Sequence, residues 1–392
     1  MSTKQLSLLE TLVNLPTAPF VETHVAAFIR NFVSKRKALS LTKDRFGNLL
    51  VRYTPPKRAR LAERARLAGR PVLFAAHMDH PGFVATKMES KDRVRADFRG
   101  WVRMPFFRGT KIQFYSNGEW VPATIEKAIP QKPTKTTASA RAFGADSPPA
   151  AVIAKTRKAI EIGAPGMWGL PDATIRNHRL HARVCDDIAG LAGILCMLDA
   201  ICRRKSAAPT YAFFTRAEEV GFAGALAAVS EQTVPKKTIV VAVECSKAIT
   251  GVGMGDGPVL RVGDKATIFT PAATAYCQVV ADELAKRDKS FRYQRKLMDG
   301  GTCESTAYCH YGYEATGICL PLVNYHNMDD AKMKIAPESI DTRDFLNLAR
   351  WFVAIAESPL TMKYDGAHPG LDARLKTLLK TNRPLLLKSA AR

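Results

Sequence analysis

The chain has 392 residues, 46% of them hydrophobic, and a formal net charge of +22, a length that excludes a single small module and predicts two domains. Its longest apolar runs, such as 238–243, fall far short of the ~20 residues that cross a bilayer, which excludes a membrane-spanning protein. Much of the positive charge lies in runs without interleaved aromatic residues, at 57–70, 132–141 and after Arg374, so we predict solvated loops or ends and no nucleic-acid partner.

The sequence predicts two helices followed by strands in the first part of the chain. Residues 6–15 and 21–37 have apolar side chains at helical spacing, and the N-terminus lacks the pattern of a secretory signal. A turn at Gly47 and Asn48 leads into a strand. The apolar run 71–77 then ends in a polar cluster, which is typical of a buried parallel strand whose carboxyl end opens on a site.

The sequence pattern changes between residues 83 and 178, where short segments of alternating apolar and polar residues are separated by turns that contain glycine, proline and basic residues. Asn117-Gly118 predicts a hairpin within this region. Beyond it, helices and strands alternate again, which predicts helices at 188–203, 222–231, 271–287 and 339–357 and strands at 211–216 and 238–245. The alternation predicts an α/β layered sheet interrupted by an inserted β-rich domain, with boundaries at 1–83, 84–178 and 179–392.

The eight cysteines contain no CxxC pair and no regular spacing, so we expect reduced thiols and a cytoplasmic protein. Cys185 and Cys245 stand beside candidate metal ligands. On a strand, neighbouring side chains point to opposite faces, and both cysteines are therefore predicted to point away from a metal.

Carboxylates and imidazoles collect where predicted strands end. They occur as His77 with Asp79, Asp186 with Asp187, Glu218 with Glu219, Glu244 alone, and His326 in Asn324-Tyr325-His326. Adjacent carboxylates beside apolar strands are costly to bury unless a cation compensates them. A pair of divalent metal ions is the simplest such cation.

Two zinc ions about 3.5 to 4 Å apart can share one carboxylate and one water molecule, using nitrogen and oxygen donors. We predict His77 and Glu244 as ligands of one metal, Glu219 and His326 as ligands of the other, and Asp186 as the bridge. Zinc is the expected metal, with cobalt or manganese as alternatives.

Two further carboxylates receive catalytic roles. Asp79 lies on the same strand face as His77 and is predicted to accept the second imidazole N–H. Glu218 precedes a ligand and is predicted to take a proton from the activated water and pass it to the leaving amine. The remaining histidines near these segments are predicted to be strand or loop residues: His80, His178, His181 and His310.

These segments resemble the co-catalytic di-zinc exopeptidases, above all the tetrahedral aminopeptidases called deblocking or glutamyl aminopeptidases. The resemblance covers most of the chain and rests on AAHMDHPGF, VCDDIAGLAGIL, TRAEEVGFAGA, GGTCESTAY and GICLPLVNYHNMDD. It implies a three-layer α/β/α fold with a small barrel-like dimerisation domain inserted after the first ligand. It also implies that Asp186 is followed by a cis peptide bond, and that the chain forms a homo-oligomer, from a dimer up to a dodecamer.

Four positions depart from the pattern of that family. His80-Pro81 stands in place of a glutamate and an aliphatic residue, Cys303 in place of an aspartate, and Val323-Asn324 where a basic residue is expected. Glu244 stands where these aminopeptidases usually have aspartate, whereas carboxypeptidase and deacylase relatives often have glutamate.

We therefore predict a metal-dependent aminopeptidase that removes N-terminal residues from short peptides. A carboxypeptidase or an N-acyl amide hydrolase of the same superfamily is the first alternative, and Glu244 motivates it. A basic binding protein that keeps the fold without turnover is the second alternative.

Overall fold

The computed structural model describes residues 2–56, 71–131, 147–358 and 371–390. The predicted basic loops at 57–70 and 132–141 lie outside the described residues. Among the described residues, no helix combines the length and the apolar character needed to cross a bilayer.

A mixed sheet of eleven strands forms the centre of the molecule. Its strands are β1 (Leu39–Lys43), β2 (Leu49–Tyr53), β3 (Val72–His77), β10 (Thr174–Arg176), β11 (Arg179–Ala182), β12 (Thr210–Thr215), β13 (Ile239–Lys247), β14 (Val259–Gly263), β15 (Gln294–Leu297), β16 (Glu314–Val323) and β19 (Glu338–Asp341). The central four, in the order β12, β3, β13 and β16, run parallel to one another. Their carboxyl ends therefore meet at one edge of the sheet.

Helices cover both faces of this sheet. They are α1 (Ser2–Val13), α2 (Thr23–Ser34), α3 (Ile188–Arg204), α4 (Ala223–Ser230), α5 (Pro271–Arg287), α6 (Glu304–His310) and α7 (Thr342–Glu357). Successive side chains of a strand point to opposite faces. Accordingly, Phe74 and Ala76 of β3 pack in the core that holds α3 and α7, whereas Leu73 and Ala75 pack in a second core with α4. The predicted α/β/α layering is confirmed.

Helix α3 shows why this layer is stable. Thirteen of its 17 residues are buried, and a helix that is apolar around most of its circumference must lie between other elements. It contacts α7, α1 and β3. Because α3 begins at Ile188, directly after the Asp186-Asp187 pair, its packing fixes the position of those two carboxylates.

A separate two-stranded sheet is formed by β17 (Met328–Asp329) and β18 (Lys334–Ile335). A closed barrel of six strands follows β3. Its strands are β4 (Gly82–Ser90), β5 (Arg93–Arg99), β6 (Lys111–Ser116), β7 (Glu119–Pro130), β8 (Pro149–Thr156) and β9 (Pro165–Trp168). Asn117 and Gly118 both have positive φ, at 52° and 82°, and these values fit the tight hairpin turn that the sequence predicts between β6 and β7. The small β-barrel implied by the resemblance is confirmed.

The barrel has its own aromatic core, and Trp168 is its largest side chain. The indole is 1% exposed, and its ring centroid lies 5.1 Å from that of Phe83 and 5.3 Å from that of Phe107. Replacing Trp168 by Ala is expected to destabilise the barrel by about 3–5 kcal/mol through lost burial and an unfilled cavity. Urea unfolding followed by circular dichroism should then begin at a lower denaturant concentration.

Ile162→Ala is the matched control, because Ile162 belongs to the same part of the chain and is 58% exposed. We expect its unfolding curve to overlay that of the parent protein. Equal unfolding curves for the two variants would mean that Trp168 does not hold the barrel together.

One predicted helix is shorter than the sequence suggests. The predicted helix 339–357 starts only at Thr342, because Glu338–Asp341 pairs with β11 and β16 as strand β19. Asp341 then caps the helix by accepting a hydrogen bond from the backbone N–H of Arg343. The basic C-terminal segment contains a helix, α8 (Leu371–Ala390), whose described side chains are exposed, in agreement with the predicted solvated end.

Candidate metal centre

The five predicted donors come together at the carboxyl edge of the parallel strands. His77 is the last residue of β3, Glu244 lies on the neighbouring β13, and Glu219 follows β12. The pairing of Ala242 with Ala75 places Glu244 level with His77, since each lies two residues further on. His326 follows β16 and Asp186 precedes α3. The sheet thus brings together residues that are far apart in the sequence.

The first group of donors surrounds the Nε2 atom of His77. This atom lies 3.7 Å from Oδ1 of Asp186 and 3.6 Å from Oε2 of Glu244. One donor atom from each of the three residues lies within 4.8 Å of the other two. The group has the size and chemistry of a single metal site.

The second group surrounds the Nε2 atom of His326. This atom lies 3.1 Å from Oε2 of Glu219 and 3.8 Å from Oδ2 of Asp186. Asp186 therefore presents one carboxylate oxygen to each group. A carboxylate shared in this way is what a pair of neighbouring cations requires.

Unpartnered polar atoms point into this space. Among the described residues, Nε2 of His77, Nε2 of His326, Oε1 of Glu219 and Oε1 of Glu244 are buried without a hydrogen-bond partner. Buried polar atoms normally have partners, so a group of orphaned donors needs an explanation. Two imidazole nitrogens and three carboxylates are a donor set that suits divalent metals, including zinc.

The electrostatics of the site fit a cation as well. Burial lowers the pKa of His77, but the nearby carboxylates of Asp186, Asp79 and Glu244 outweigh this effect and raise the pKa well above its usual value. Burial also lowers the pKa of His326, but Glu219 and Asp186 outweigh this effect and raise the pKa to about 9. The carboxylates therefore favour positive charge at both imidazoles, which is charge that metal ions would supply in place of protons.

Backbone carbonyl groups fix the orientation of both imidazoles. Nδ1 of His77 lies 3.1 Å from the carbonyl oxygen of Asp79, and Nδ1 of His326 lies 2.7 Å from the carbonyl oxygen of Trp101. Because a carbonyl only accepts, each Nδ1 must carry the proton, which leaves Nε2 free to bind a metal. Trp101 lies between barrel strands β5 and β6, so the barrel orients one of the two imidazoles.

Asp79 makes different contacts from those predicted. Its carboxylate oxygen Oδ1 lies 3.6 Å from Nδ1 of His77, further away than its own carbonyl oxygen. The two carboxylate oxygens instead accept hydrogen bonds from the backbone N–H groups of Glu218 and Glu219, at 3.0 and 3.1 Å. Asp79 thus ties the loop that carries Glu218 and Glu219 to the end of β3.

The same loop is held from its other side by Glu22. Its carboxylate accepts hydrogen bonds from Nε of Arg216 at 2.7 Å and from the backbone N–H of Ala217 at 3.1 Å. Ala217 has a φ of 53°, which is uncommon for a residue with a side chain and needs support of this kind. The loop that presents the double glutamate is therefore fixed at both ends.

Glu218 is separate from the two groups described above and lies close to them. It is 9% exposed, and one of its carboxylate oxygens lies within 4.8 Å of donor atoms of His77 and Glu219. Burial raises the pKa of Glu218 well above its usual value, and the charge of Glu244 adds to this effect. A carboxyl group with a raised pKa can both accept and return a proton near neutral pH.

The Asp186-Asp187 peptide bond is cis, as the resemblance implies. Of the two flanking cysteines, Cys245 is directed towards protein atoms, because its thiol donates to the carbonyl oxygen of Cys185 at 3.3 Å. Its backbone N–H also donates to Oδ1 of Asp186 at 3.1 Å. The segment around Asp186 is therefore anchored to β13.

The four histidines predicted to be strand or loop residues lie outside the two donor groups. His178, His181 and His310 are exposed. His80 is fully buried, and its ring nitrogens lie 2.9 Å from the carbonyl oxygen of Asp186 and 2.9 Å from Oδ1 of Asn327. Both of its ring nitrogens are thus occupied by protein partners.

Sequence reasoning missed three residues that hold the site together: Glu22, Asn327 and Glu338. Each is buried and polar and binds a backbone group within three residues of a predicted site residue. No spacing rule could identify them, because their partners are distant in the sequence. The sequence offers a signal only for Glu338, which stands with Asp341 as one of two acidic residues in the short segment Glu338–Asp341.

The sequence matches known proteins over much of its length. A model of the family described as M42 glutamyl aminopeptidase matches residues 61–335. A protein from Acetivibrio thermocellus, named provisionally as an aminopeptidase, is 25% identical over 242 residues, which represent 59% of this chain and 68% of the relative.

Solved structures share the fold along nearly the whole chain. The TET aminopeptidase from Thaumarchaeota archaeon SCGC AB-539-E09 has a TM-score of 0.70 at 16% identity, covering 92% of this chain and 98% of its own. Aminopeptidase APDkam598 from Desulfurococcus kamchatkensis has a TM-score of 0.69 at 19% identity, covering 91% and 96%. The TET1 peptidase of Pyrococcus horikoshii, described as assembling into a tetrahedron or a large octahedral shell, has a TM-score of 0.69 at 16% identity, covering 90% and 99%.

Proposed function

Because the chain belongs to the M42 glutamyl aminopeptidase family and is therefore a metal-dependent aminopeptidase, we propose that its centre holds two zinc ions. His77 and Glu244 would hold one ion, Glu219 and His326 would hold the other, and Asp186 would be the ligand common to both. The single observation that carries this proposal is the position of Asp186, whose two oxygens face the Nε2 atoms of His77 and His326 at 3.7 and 3.8 Å. Cobalt or manganese could occupy the same donors.

Glu218 and Asp79 have different roles in the proposed reaction. When bound, a pair of divalent cations supplies Lewis acidity and lowers the pKa of a water molecule. Glu218 accepts the proton of that water and returns it to the amine that leaves when the peptide bond breaks. Asp79 holds the backbone of Glu218 in place at 3.0 Å, so the carboxyl group stays within reach of the reacting atoms.

Glu244 is the residue that bears most directly on the type of substrate. Carboxypeptidase and deacylase relatives often have glutamate at this position, whereas the family usually has aspartate. The donor geometry is compatible with glutamate, because Oε2 of Glu244 reaches to 3.6 Å from Nε2 of His77. The substrate panel therefore has to include peptides with blocked ends.

Removing metal is expected to abolish hydrolysis, because bound cations would polarise the scissile carbonyl and lower the pKa of the attacking water, and both effects would be lost. Purified protein should release N-terminal residues from short peptides, lose this activity in chelator, and regain it when zinc, cobalt or manganese is returned. Elemental analysis should find two ions per chain, and chromatography of the products identifies which bond is cut.

Matched peptides with a free amine, an acetylated N-terminus or an amidated C-terminus separate the alternatives. Cleavage only of acetylated peptides would select a deacylase, and cleavage only from a free C-terminus would select a carboxypeptidase. Hydrolysis that persists at full rate without metal would contradict the proposal. Metal binding without hydrolysis of any peptide would favour a binding protein.

We further propose a homo-oligomer, with a size between a dimer and a dodecamer, and residues 84–178 as the inserted domain that mediates assembly. The name of the Pyrococcus horikoshii neighbour, which describes closed shells, supports the first point. The closed barrel formed between Gly82 and Trp168 supports residues 84–178 as an inserted domain. Light scattering of the protein with and without residues 84–178 would test the assembly.

We also propose that the protein is located in the cytoplasm. All eight cysteines are unpaired, which supports a reducing compartment of this kind.

A further inference from the structure

One buried carboxylate connects the two segments that carry Asp186 and His326. Glu338 is the first residue of β19 and is fully buried. Its Oε2 accepts hydrogen bonds from the backbone N–H groups of Cys185, at 2.6 Å, and Asp186, at 3.1 Å. Its Oε1 accepts from the backbone N–H of His326 at 2.8 Å. Three N–H groups from two distant parts of the chain thus converge on one side chain.

We propose that Glu338 is a positioning residue of the metal centre, which fixes the distance between the bridging Asp186 and His326 by binding the backbone of both. This inference rests on the proposed two-metal function. It assigns no contact with substrate to Glu338. Its role is to hold the two donors at the spacing that a shared carboxylate needs.

The local backbone explains why such support is needed. His326 has a φ of 54°, and its neighbours Asn324 and Asn327 have φ values of 59° and 63°. These are left-handed conformations, which are uncommon for residues with a side chain, and nearby hydrogen bonds help to stabilise them. The bond from the His326 N–H to Glu338 supplies one such contact, and the bond from Nδ2 of Asn324 to the carbonyl oxygen of Pro337, at 2.9 Å, supplies another.

A second connection runs parallel to the first. The side-chain amide of Asn327 donates to the carbonyl oxygen of Arg183 at 2.9 Å, and its Oδ1 lies 2.9 Å from Nε2 of His80. The other ring nitrogen of His80 lies 2.9 Å from the carbonyl oxygen of Asp186. The two segments are therefore joined on both sides, so the loss of Glu338 should loosen the centre without separating them.

A carboxylate suits this position better than an amide. Both oxygens of a carboxylate accept hydrogen bonds, and within the described part of the chain the donors that contact Glu338 are all backbone N–H groups. In Glu338→Gln, the side-chain NH2 group would face at least one of these N–H groups, donor against donor. One arm of the connection would then be lost while the size of the side chain stays the same.

Asp344→Asn provides a matched control. Asp344 is also fully buried, and its carboxylate accepts hydrogen bonds from the backbone N–H groups of Gly255 and Gly257, at 2.7 and 2.8 Å. Asp344→Asn also replaces a carboxylate that binds backbone N–H groups by an amide, but at a position outside the metal centre. It therefore shows how the loss of a hydrogen bond of this kind changes the stability of the protein without changing the metal site.

The experiment measures metal affinity of the full-length apoprotein by competition with a chromophoric chelator, alongside the thermal midpoint of the apoprotein. We expect Glu338→Gln to weaken binding of at least one zinc ion by about 10–100-fold, as for other groups that orient metal ligands. Excess zinc should restore part of the lost activity. Asp344→Asn should lower the thermal midpoint and leave zinc affinity unchanged.

Unchanged zinc affinity in Glu338→Gln would overturn the inference, even if the variant is less stable. If that variant does not fold, Glu338→Asp replaces it, because its shorter side chain keeps the charge but cannot span both segments. A folded Glu338→Asp with the affinity of the parent would likewise overturn the inference. Failure of the proposed function is distinguishable, because the parent protein itself would then bind no zinc pair.

Discussion

Replacing Glu218 by Gln is expected to lower kcat for peptide hydrolysis by about 10²- to 10⁴-fold, the usual contribution of a positioned general acid–base group. The amide has nearly the same shape but cannot accept a proton from water. Because Glu218 is not one of the five proposed metal ligands, the variant should still contain two metal ions per chain. Steady-state kinetics on a short peptide, combined with elemental analysis, measures both quantities on the same sample.

Glu304→Gln is a suitable control for this prediction. Glu304 is another buried glutamate near the centre, 1% exposed, and burial raises its pKa to about 8. Glu304 belongs to neither donor group, so an amide of nearly the same shape removes no proposed metal ligand and no proposed proton carrier. We expect its kcat to change by less than tenfold. Comparable losses in both variants, or loss of metal from Glu218→Gln, would contradict the role assigned to Glu218.

The grouping of the five donors could be predicted because it follows from strand geometry. Buried parallel strands read as short apolar runs, and their polar residues collect at the carboxyl ends, which share one edge of the sheet. His77 and His326 satisfy this rule, and the structure places their Nε2 atoms 3.7 and 3.8 Å from the two oxygens of Asp186. The roles of these donors as metal ligands remain predictions that the experiments above test.

The contacts around the donors could not be predicted, because they depend on how loops pack. The sequence places Asp79 two residues from His77 on the same strand face, but the strand ends at His77. Beyond that point the alternation of side chains no longer applies, so the carbonyl group of Asp79 faces the imidazole and the carboxylate turns to Glu218 and Glu219.

The position of Glu338 illustrates the same limit at longer range. Helical periodicity from residue 339 onward suggests one continuous helix, but pairing of β19 with β11 and β16 converts its first residues into a strand. Tertiary pairing of this kind overrides local preference. Only this pairing brings Glu338 next to Cys185, Asp186 and His326.

Replacing Asp186 by Asn is expected to have the second very large effect, because Asp186 is the one carboxylate among the described residues that both donor groups share. The amide presents one oxygen and one NH2 group, so it can bind one cation at most and repels the other. Loss of a metal ion costs several kcal/mol of transition-state stabilisation, and each 1.4 kcal/mol is about tenfold in rate. We therefore expect kcat/KM to fall by at least about 10³-fold and the metal content to fall below two ions per chain.

Single histidine variants sharpen this test, because the proposed arrangement is symmetrical about Asp186. His77→Ala should remove the ion shared with Glu244, and His326→Ala should remove the ion shared with Glu219, so each variant should retain about one ion. His181→Ala is the matched control, since His181 is exposed, and it should retain two ions. If Asp186→Asn kept two ions and the parent activity, the bridge would be assigned to the wrong residue. If either histidine variant lost both ions, the two groups would bind metal as one cooperative unit, because loss of one ion would displace the Asp186 carboxylate that faces both groups.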